Sequence, residues 1–228
     1  MIPKKINYIW LGEALLPPLI EKCLESWTRV LPDYEILRWD ESNLSISDPF
    51  YEKAYQAKKW AFCADVARLH ILYEQGGIYL DTDMEIIRDL SPLLDTDLFI
   101  GREDDHFINA GIVGCVPKNA FINDALQAVT KSLRSGYVPI PKVLTEVYAA
   151  RSGSYRFPHK VYPPKYFYPY NPFVSDIKNL FFSDVTADTY AIHHWAHSWK
   201  GGLIQRARAL LKRRAKVLLS RAAAQQAQ

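Results

Sequence analysis

Cysteine is scarce: Cys23, Cys63 and Cys115 are 3 in 228 residues, 40 and 52 positions apart, with no CxxC pair. An odd, widely spaced set gives neither a disulfide framework nor a zinc site, and it suits a reducing compartment. Long apolar runs are also missing, since no stretch approaches the roughly 18 residues of a membrane span. The start, Met1-Ile2-Pro3-Lys4-Lys5, has no apolar h-region, so no cleaved leader is expected. With 10 Gly, 14 Pro and 49% hydrophobic residues, collagen-like, low-complexity and disordered classes are excluded. Acidic residues are absent from 203–228, which holds seven bases; residues 1–202 carry 21 bases against 25 acids. A mildly acidic body therefore precedes a strongly basic tail.

What is present alternates between strand and helix patterns. Lys5 to Trp10 alternates and meets Leu11-Gly12, as a first strand would. After Pro17-Pro18, apolar residues at 20, 23, 24, 27 and 31 have helical spacing and stop at Pro32. Tyr34–Trp39 reads as a second strand. Phe62, Val66, Leu69 and Tyr73 form one stripe of a helix from Trp60 to Gln75, closed by Gly76-Gly77. Ile78–Leu80, Leu98–Gly101 and Ile108–Val113 read as strands, and about 119–134 as a helix. This order predicts an α/β fold with a mostly parallel sheet, its ligands beyond the carboxyl ends of the strands. Residues 137–175, rich in proline and tyrosine, are expected to form an ordered but irregular lobe, and the only linker-like boundary is Gly201-Gly202.

The chemistry concentrates in Ala64-Asp65-Val66-Ala67-Arg68 and Leu80-Asp81-Thr82-Asp83. On an extended chain Asp81 and Asp83 share a face, and two carboxylates side by side call for a cation. Oxygen ligands of this kind suit Mg²⁺ or Mn²⁺, completed by water and phosphate. Depth can be worked out from the glycine turn. About 11 helical residues at ~1.5 Å lead back to Asp65, and about five strand residues at ~3.3 Å lead forward to Asp83. Both distances are ~16 Å, so Asp65 and Arg68, which share a helix face, stand level with the acidic pair.

Four blocks extend this constellation: Ile2 to Gly12, residues 60–83, Asn109-Ala110-Gly111, and Ala191-Ile192-His193-His194-Trp195 with Ser198-Trp199. Together they resemble the DxD sugar-nucleotide glycosyltransferases of the yeast initiating mannosyltransferase, bacterial capsule-synthesis enzymes and, more distantly, the clostridial glucosylating toxins. The resemblance implies a GT-A fold over residues 1–202, a Mn²⁺ or Mg²⁺ cofactor and a nucleoside-diphosphate sugar donor, UDP preferred to GDP. It also implies transfer with retention to a glycan or lipid-linked saccharide in surface polysaccharide synthesis. Trp10 would stack on the nucleobase, with Asp65, Arg68 and Trp199 also contacting the donor. Asp81 would meet the ribose and support the metal; Asp83 would chelate it. Asn109 would hydrogen-bond the donor sugar or the acceptor near the reacting carbon, and His193, with His194 as the weaker candidate, would be a metal ligand or a diphosphate contact. No residue identifies itself as a nucleophile, which favours attack on the face the diphosphate leaves. The chain departs from the pattern at Pro139-Ile140-Pro141, where many relatives have Gly-Pro before the acceptor-side helix.

Two other classes fit parts of the sequence. A haloacid-dehalogenase-like phosphatase would use Asp81 as nucleophile and Asp83 as acid, but it wants Thr or Val where Glu85 stands. A non-catalytic carbohydrate-binding protein would hold calcium on the DxD. The tail 203–228, with leucines on one face and bases around the rest, reads as a helix lying on an anionic membrane surface, which would make the protein cytoplasmic and peripheral; a solvated helix and a nucleic-acid contact are the alternatives.

Overall fold

The computed structural model describes residues 1–12, 14–136 and 138–196. The basic tail 203–228, the boundary at Gly201-Gly202 and Trp199 lie outside the described residues. The main sheet has the order β2-β1-β3-β6-β5-β7, built from β1 (Lys5–Ile9), β2 (Glu35–Trp39), β3 (Gly77–Leu80), β5 (Leu98–Arg102), β6 (Ile108–Cys115) and β7 (His159–Tyr162). β1 runs parallel to β2 and β3, and β5 parallel to β7; β6 is antiparallel to its neighbours β3 and β5. Five strands thus run one way and β6 the other, so the sheet is mostly parallel. A second, two-stranded sheet pairs β4 (Met84–Ile86) with β8 (Ala191–His193).

Helices cover the main sheet because their apolar residues fall on one stripe. In α1 (Pro18–Val30), started by Pro17-Pro18, Ile20, Cys23 and Trp27 are buried. Trp27 Nε1 donates to the Met84 carbonyl at 2.7 Å, and Ser26 Oγ accepts from the Ile86 amide at 2.9 Å, so this helix carries β4. α3 (Trp60–Gln75) and α4 (Ala120–Ser135) pack with Val66, Leu69, Phe121 and Ile122 in one core cluster; Trp27, Leu80, Met84 and Ile86 belong to another. Gly76 and Gly77 end α3 at φ +63° and +84°, and a Cβ on Gly77 would lie 2.8 Å from the Lys5 carbonyl oxygen. Only glycine tolerates both demands, which makes the reversal from α3 into β3 tight.

Three elements differ from expectation. α2 (Pro49–Gln56) is capped by Asp48, whose carboxylate accepts from the Phe50 and Tyr51 amides. The lobe 137–175 is more regular than its prolines suggest: it contains α5 (Ile140–Arg151), which buries Ile140, Val143 and Leu144, and then β7. Prolines at the first turn of a helix cost no hydrogen bond, so Pro139 and Pro141 open α5. All three cysteines are buried and free, as their spacing predicts.

Candidate metal and donor site

Two chain crossings assemble the site at the carboxyl end of β3. Asp81-Thr82-Asp83 forms the turn between β3 and β4, closed by the Met84 amide donating to the Asp81 carbonyl at 3.0 Å. β8 then pairs Met84 with His193, and the His194 amide donates to the Asp83 carbonyl at 3.0 Å. Carboxylate oxygens of Asp81 and Asp83 and an imidazole nitrogen of His193 lie within 4.8 Å of one another. Asp83 and His193 are buried, with His193 Nε2 3.1 Å from Asp83 Oδ1. His193 Nδ1 is buried without a hydrogen-bond partner among the described residues, and its ring packs 4.1 Å from that of Trp195. Burial opposes protonation of His193, but Asp83, Asp81 and Glu103 outweigh it and raise the pKa above 6.5. That field is the one a cation would enter.

Arg68 supports the acidic pair from α3. Its guanidinium meets Asp65 at 3.1 Å and Asp81 at 3.0 Å, donates to the Ala110 carbonyl at 3.0 Å and lies 4.7 Å over the Tyr79 ring. The Tyr79 hydroxyl donates to the same Asp81 oxygen at 3.1 Å. Asp65 and Asp81 therefore do stand at one depth, joined by one buried cation. Burial works against the charge of Arg68, yet Asp81, Tyr79 and Asp65 hold it protonated well above the ordinary arginine range. Its contacts make it a brace for Asp81.

Asn109-Ala110-Gly111 sits where β6 slips in register, between Gly101↔Asn109 and Ile100↔Val113. Irregularities of this kind re-aim backbone groups. Here the Gly111 carbonyl accepts from the Asp81 amide at 2.8 Å, and Asn109 Oδ1 accepts from the Gly111 amide at 2.6 Å. A Cβ on Gly111 would stand 3.3 Å from Asp81 Oδ2. Asn109 Nδ2 donates to Glu103, a carboxyl whose pKa burial raises. The Tyr168 hydroxyl donates to Asn109 Oδ1 at 3.3 Å and accepts from the Ile112 amide at 3.1 Å. Glu103 and Tyr168 were not among the expected site residues: one lies in an acidic loop run and the other in a tyrosine-rich segment, and neither spacing singles it out.

Trp10 is half-buried one residue past β1, its Nε1 donating to the Ala14 carbonyl at 2.8 Å. Since Asn7 pairs with Tyr79 in parallel register, Trp10 and the Asp81–Asp83 turn emerge from the same sheet edge. His194 is set apart from the trio, its Nε2 2.8 Å from Glu85 Oε2.

Residues 17–100 match the family described as "Glycosyltransferase sugar-binding region containing DXD motif". Inositol phosphoceramide mannosyltransferase 3 of Schizosaccharomyces pombe is 29% identical over 53% of this chain and 35% of its own. PaToxG glycosyltransferase superposes with a TM-score of 0.55 at 19% identity, over 67% of this chain and 71% of that one. Glycosyltransferase GlyE of Streptococcus pneumoniae TIGR4 gives 0.55 at 13%, over 86% and 55%. The chain is thus similar to the DXD-motif glycosyltransferases, and its fold resembles that of GT-A glycosyltransferases. It spans 33% to 62% of the length of the yeast relatives it matches.

Proposed function

From this kinship and the geometry, we propose that the chain is a retaining hexosyltransferase that uses a divalent cation, Mn²⁺ or Mg²⁺, and a nucleoside-diphosphate sugar. The convergence of Asp81, Asp83 and His193 within 4.8 Å is the observation that carries the reading. The residues fit such an ion: two carboxylates and a buried imidazole supply oxygen and nitrogen ligands, a set better suited to Mn²⁺ than to Mg²⁺ with its preference for oxygen. Asp83, His193 and the Asp81 oxygen that Arg68 and Tyr79 do not take would hold it. A bound ion would offset negative charge developing on the diphosphate. Arg68 fixes Asp81 by the bonds already described, so little reorganisation accompanies reaction. Trp10 offers a ring to the nucleobase and Asn109 an amide near the sugar, with attack on the face the diphosphate leaves. The acceptor is a hydroxyl of a glycan or lipid-linked saccharide. A place in capsule or other surface polysaccharide synthesis, with residues 203–228 on an anionic membrane surface, completes the proposal. No helix among the described residues is long and apolar enough to cross a membrane.

The test is a panel of UDP- and GDP-sugars assayed for hydrolysis and transfer with Mn²⁺, Mg²⁺ or EDTA. Mn²⁺-dependent turnover of at least one donor, abolished in a folded Asp83→Ala variant, is the expected result. Turnover indifferent to EDTA, or no turnover of any donor, would overturn the reading and favour a non-catalytic carbohydrate-binding role.

A further inference from the structure

A cleft of about 470 Å³ opens between the Glu103–Asp105 turn and the segment 164–184. It shares a wall with the donor site, because Glu103 is bonded to Asn109 and the Tyr168 ring lies 5.7 Å from that of His193. Four carboxylates line it, those of Glu103, Asp104, Asp105 and Asp184, and among the described residues no lysine or arginine does. Asp104 Oδ1 accepts from the His106 and Phe107 amides, and Asp184 Oδ2 from the Phe181 amide. One oxygen of each thus holds the fold in shape, and the carboxylates as a group present acceptors to whatever enters. Tyr170, half-buried, adds aromatic surface, with the buried Tyr168 beneath it.

The mouth of the cleft has the opposite character. Val174, Ile177 and Phe181 line it while being 62%, 55% and 51% exposed. Phe173 and Phe182 are exposed too, so residues 173–182 supply half of the large apolar side chains exposed among the described residues. Exposed apolar side chains gathered in one segment beside a cleft signal a ligand that covers them.

We infer that this cleft is the acceptor site and takes an uncharged sugar carried on an apolar aglycone. The inference rests on the transferase reading above and narrows its acceptor. Sugar hydroxyls donate to carboxylates, Tyr170 gives a face to a pyranose ring, and the exposed apolar side chains cover an alkyl chain leaving the sugar. The carboxylates repel a phosphorylated or uronic acceptor. The expected acceptor-side segment at Pro139–Thr145 is a different part of the chain, with Pro139 the cap residue of α5.

The probes are methyl and octyl glycosides of glucose, galactose and mannose, below micellar concentration, and the matching hexose 6-phosphates. They are titrated into the full chain with UDP or GDP and Mn²⁺ and followed by calorimetry. For at least one sugar, the octyl glycoside should bind about tenfold tighter than the methyl one, as burial of two or so methylenes implies, and the matching 6-phosphate should bind at least tenfold more weakly than the methyl glycoside. An Ile177→Ser/Phe181→Ser variant, changed only at exposed positions, should lose the octyl preference. Equal binding of octyl and methyl glycosides, no binding of either, 6-phosphates bound as tightly as neutral sugars, or an octyl preference that survives in the variant would each overturn the assignment. So would loss of vesicle binding in the variant with no sugar preference in the parent, which would make the exposed apolar side chains a bilayer contact. Donor hydrolysis by the unmodified protein separates the two readings: if it persists while these expectations fail, only the acceptor assignment falls.

Discussion

Replacing Arg68 by Met keeps the length of the side chain and removes the cation that joins α3 to the Asp81 turn. The guanidinium is 8% exposed, Asp65 5% and Asp81 25%. Removing one partner of a buried ion pair costs about 3–5 kcal/mol, most of it the penalty of leaving the opposite charge without its counterion. Water reaches Asp81 and offsets part of this, so the lower end, about 3 kcal/mol, is the expected loss. In a domain of this size each kcal/mol moves the midpoint by about 2–4 °C, which puts Tm about 6–12 °C lower. Urea unfolding at pH 7 and calorimetry would both read it. Adding Asp65→Asn to the variant removes one of the stranded charges, so the double variant should be more stable than the sum of the single effects, with a coupling of about 1–3 kcal/mol. A single variant within about 1 kcal/mol of the parent, or strict additivity, would refute the brace.

Four further outcomes are expected. Gly77→Ala should cost at least about 1–3 kcal/mol in denaturant unfolding, since its φ of +84° and the Lys5 oxygen 2.8 Å from the new Cβ leave no relaxed alternative. In metal-free protein the raised pKa of His193 means that folding favours its protonated form; that stability is full below about pH 6.5 and lost as pH rises through the folded value, and His193→Gln should flatten the dependence of Tm on pH in EDTA. The thiols of Cys23 and Cys63 are pushed up to about 12, chiefly by burial, and Cys115 is raised further by burial alone; none should react with a thiol reagent at pH 8 until denaturant is added. Trp10→Ala should weaken binding of UDP or GDP by about 1–3 kcal/mol in calorimetry, and unchanged affinity for both would remove it from the donor site.

How much of this was legible in the sequence follows from the range over which each feature is encoded. The depth match of Asp65 and Arg68 with the Asp81 turn is local: a helix, a glycine pair and a strand of known rises fix it, and the bonds of Arg68 to Asp65 and Asp81 bear it out. The trio of Asp81, Asp83 and His193 is not local, because Asp83 and His193 are 110 residues apart and meet through the β4–β8 ladder. A three-residue strand such as Met84–Ile86 is too short for alternation to announce it. His193 entered through the likeness of its block to a family, since its own neighbourhood gives no metal-ligand spacing. The cleft was least legible, because its floor comes from the end of β5 and its walls from a stretch whose prolines and tyrosines have no period. Those prolines punctuate the turn at Pro163-Pro164, where the Tyr168 amide bonds back to the Pro164 carbonyl at 2.7 Å and the ring swings under Asn109. A hydroxyl placed this way is set by backbone turns, and no pattern of hydrophobicity records them. Periodicity therefore reads the scaffold that carries the acidic pair, whereas the groups that line the cleft are fixed by irregular chain and come into view only when it is folded.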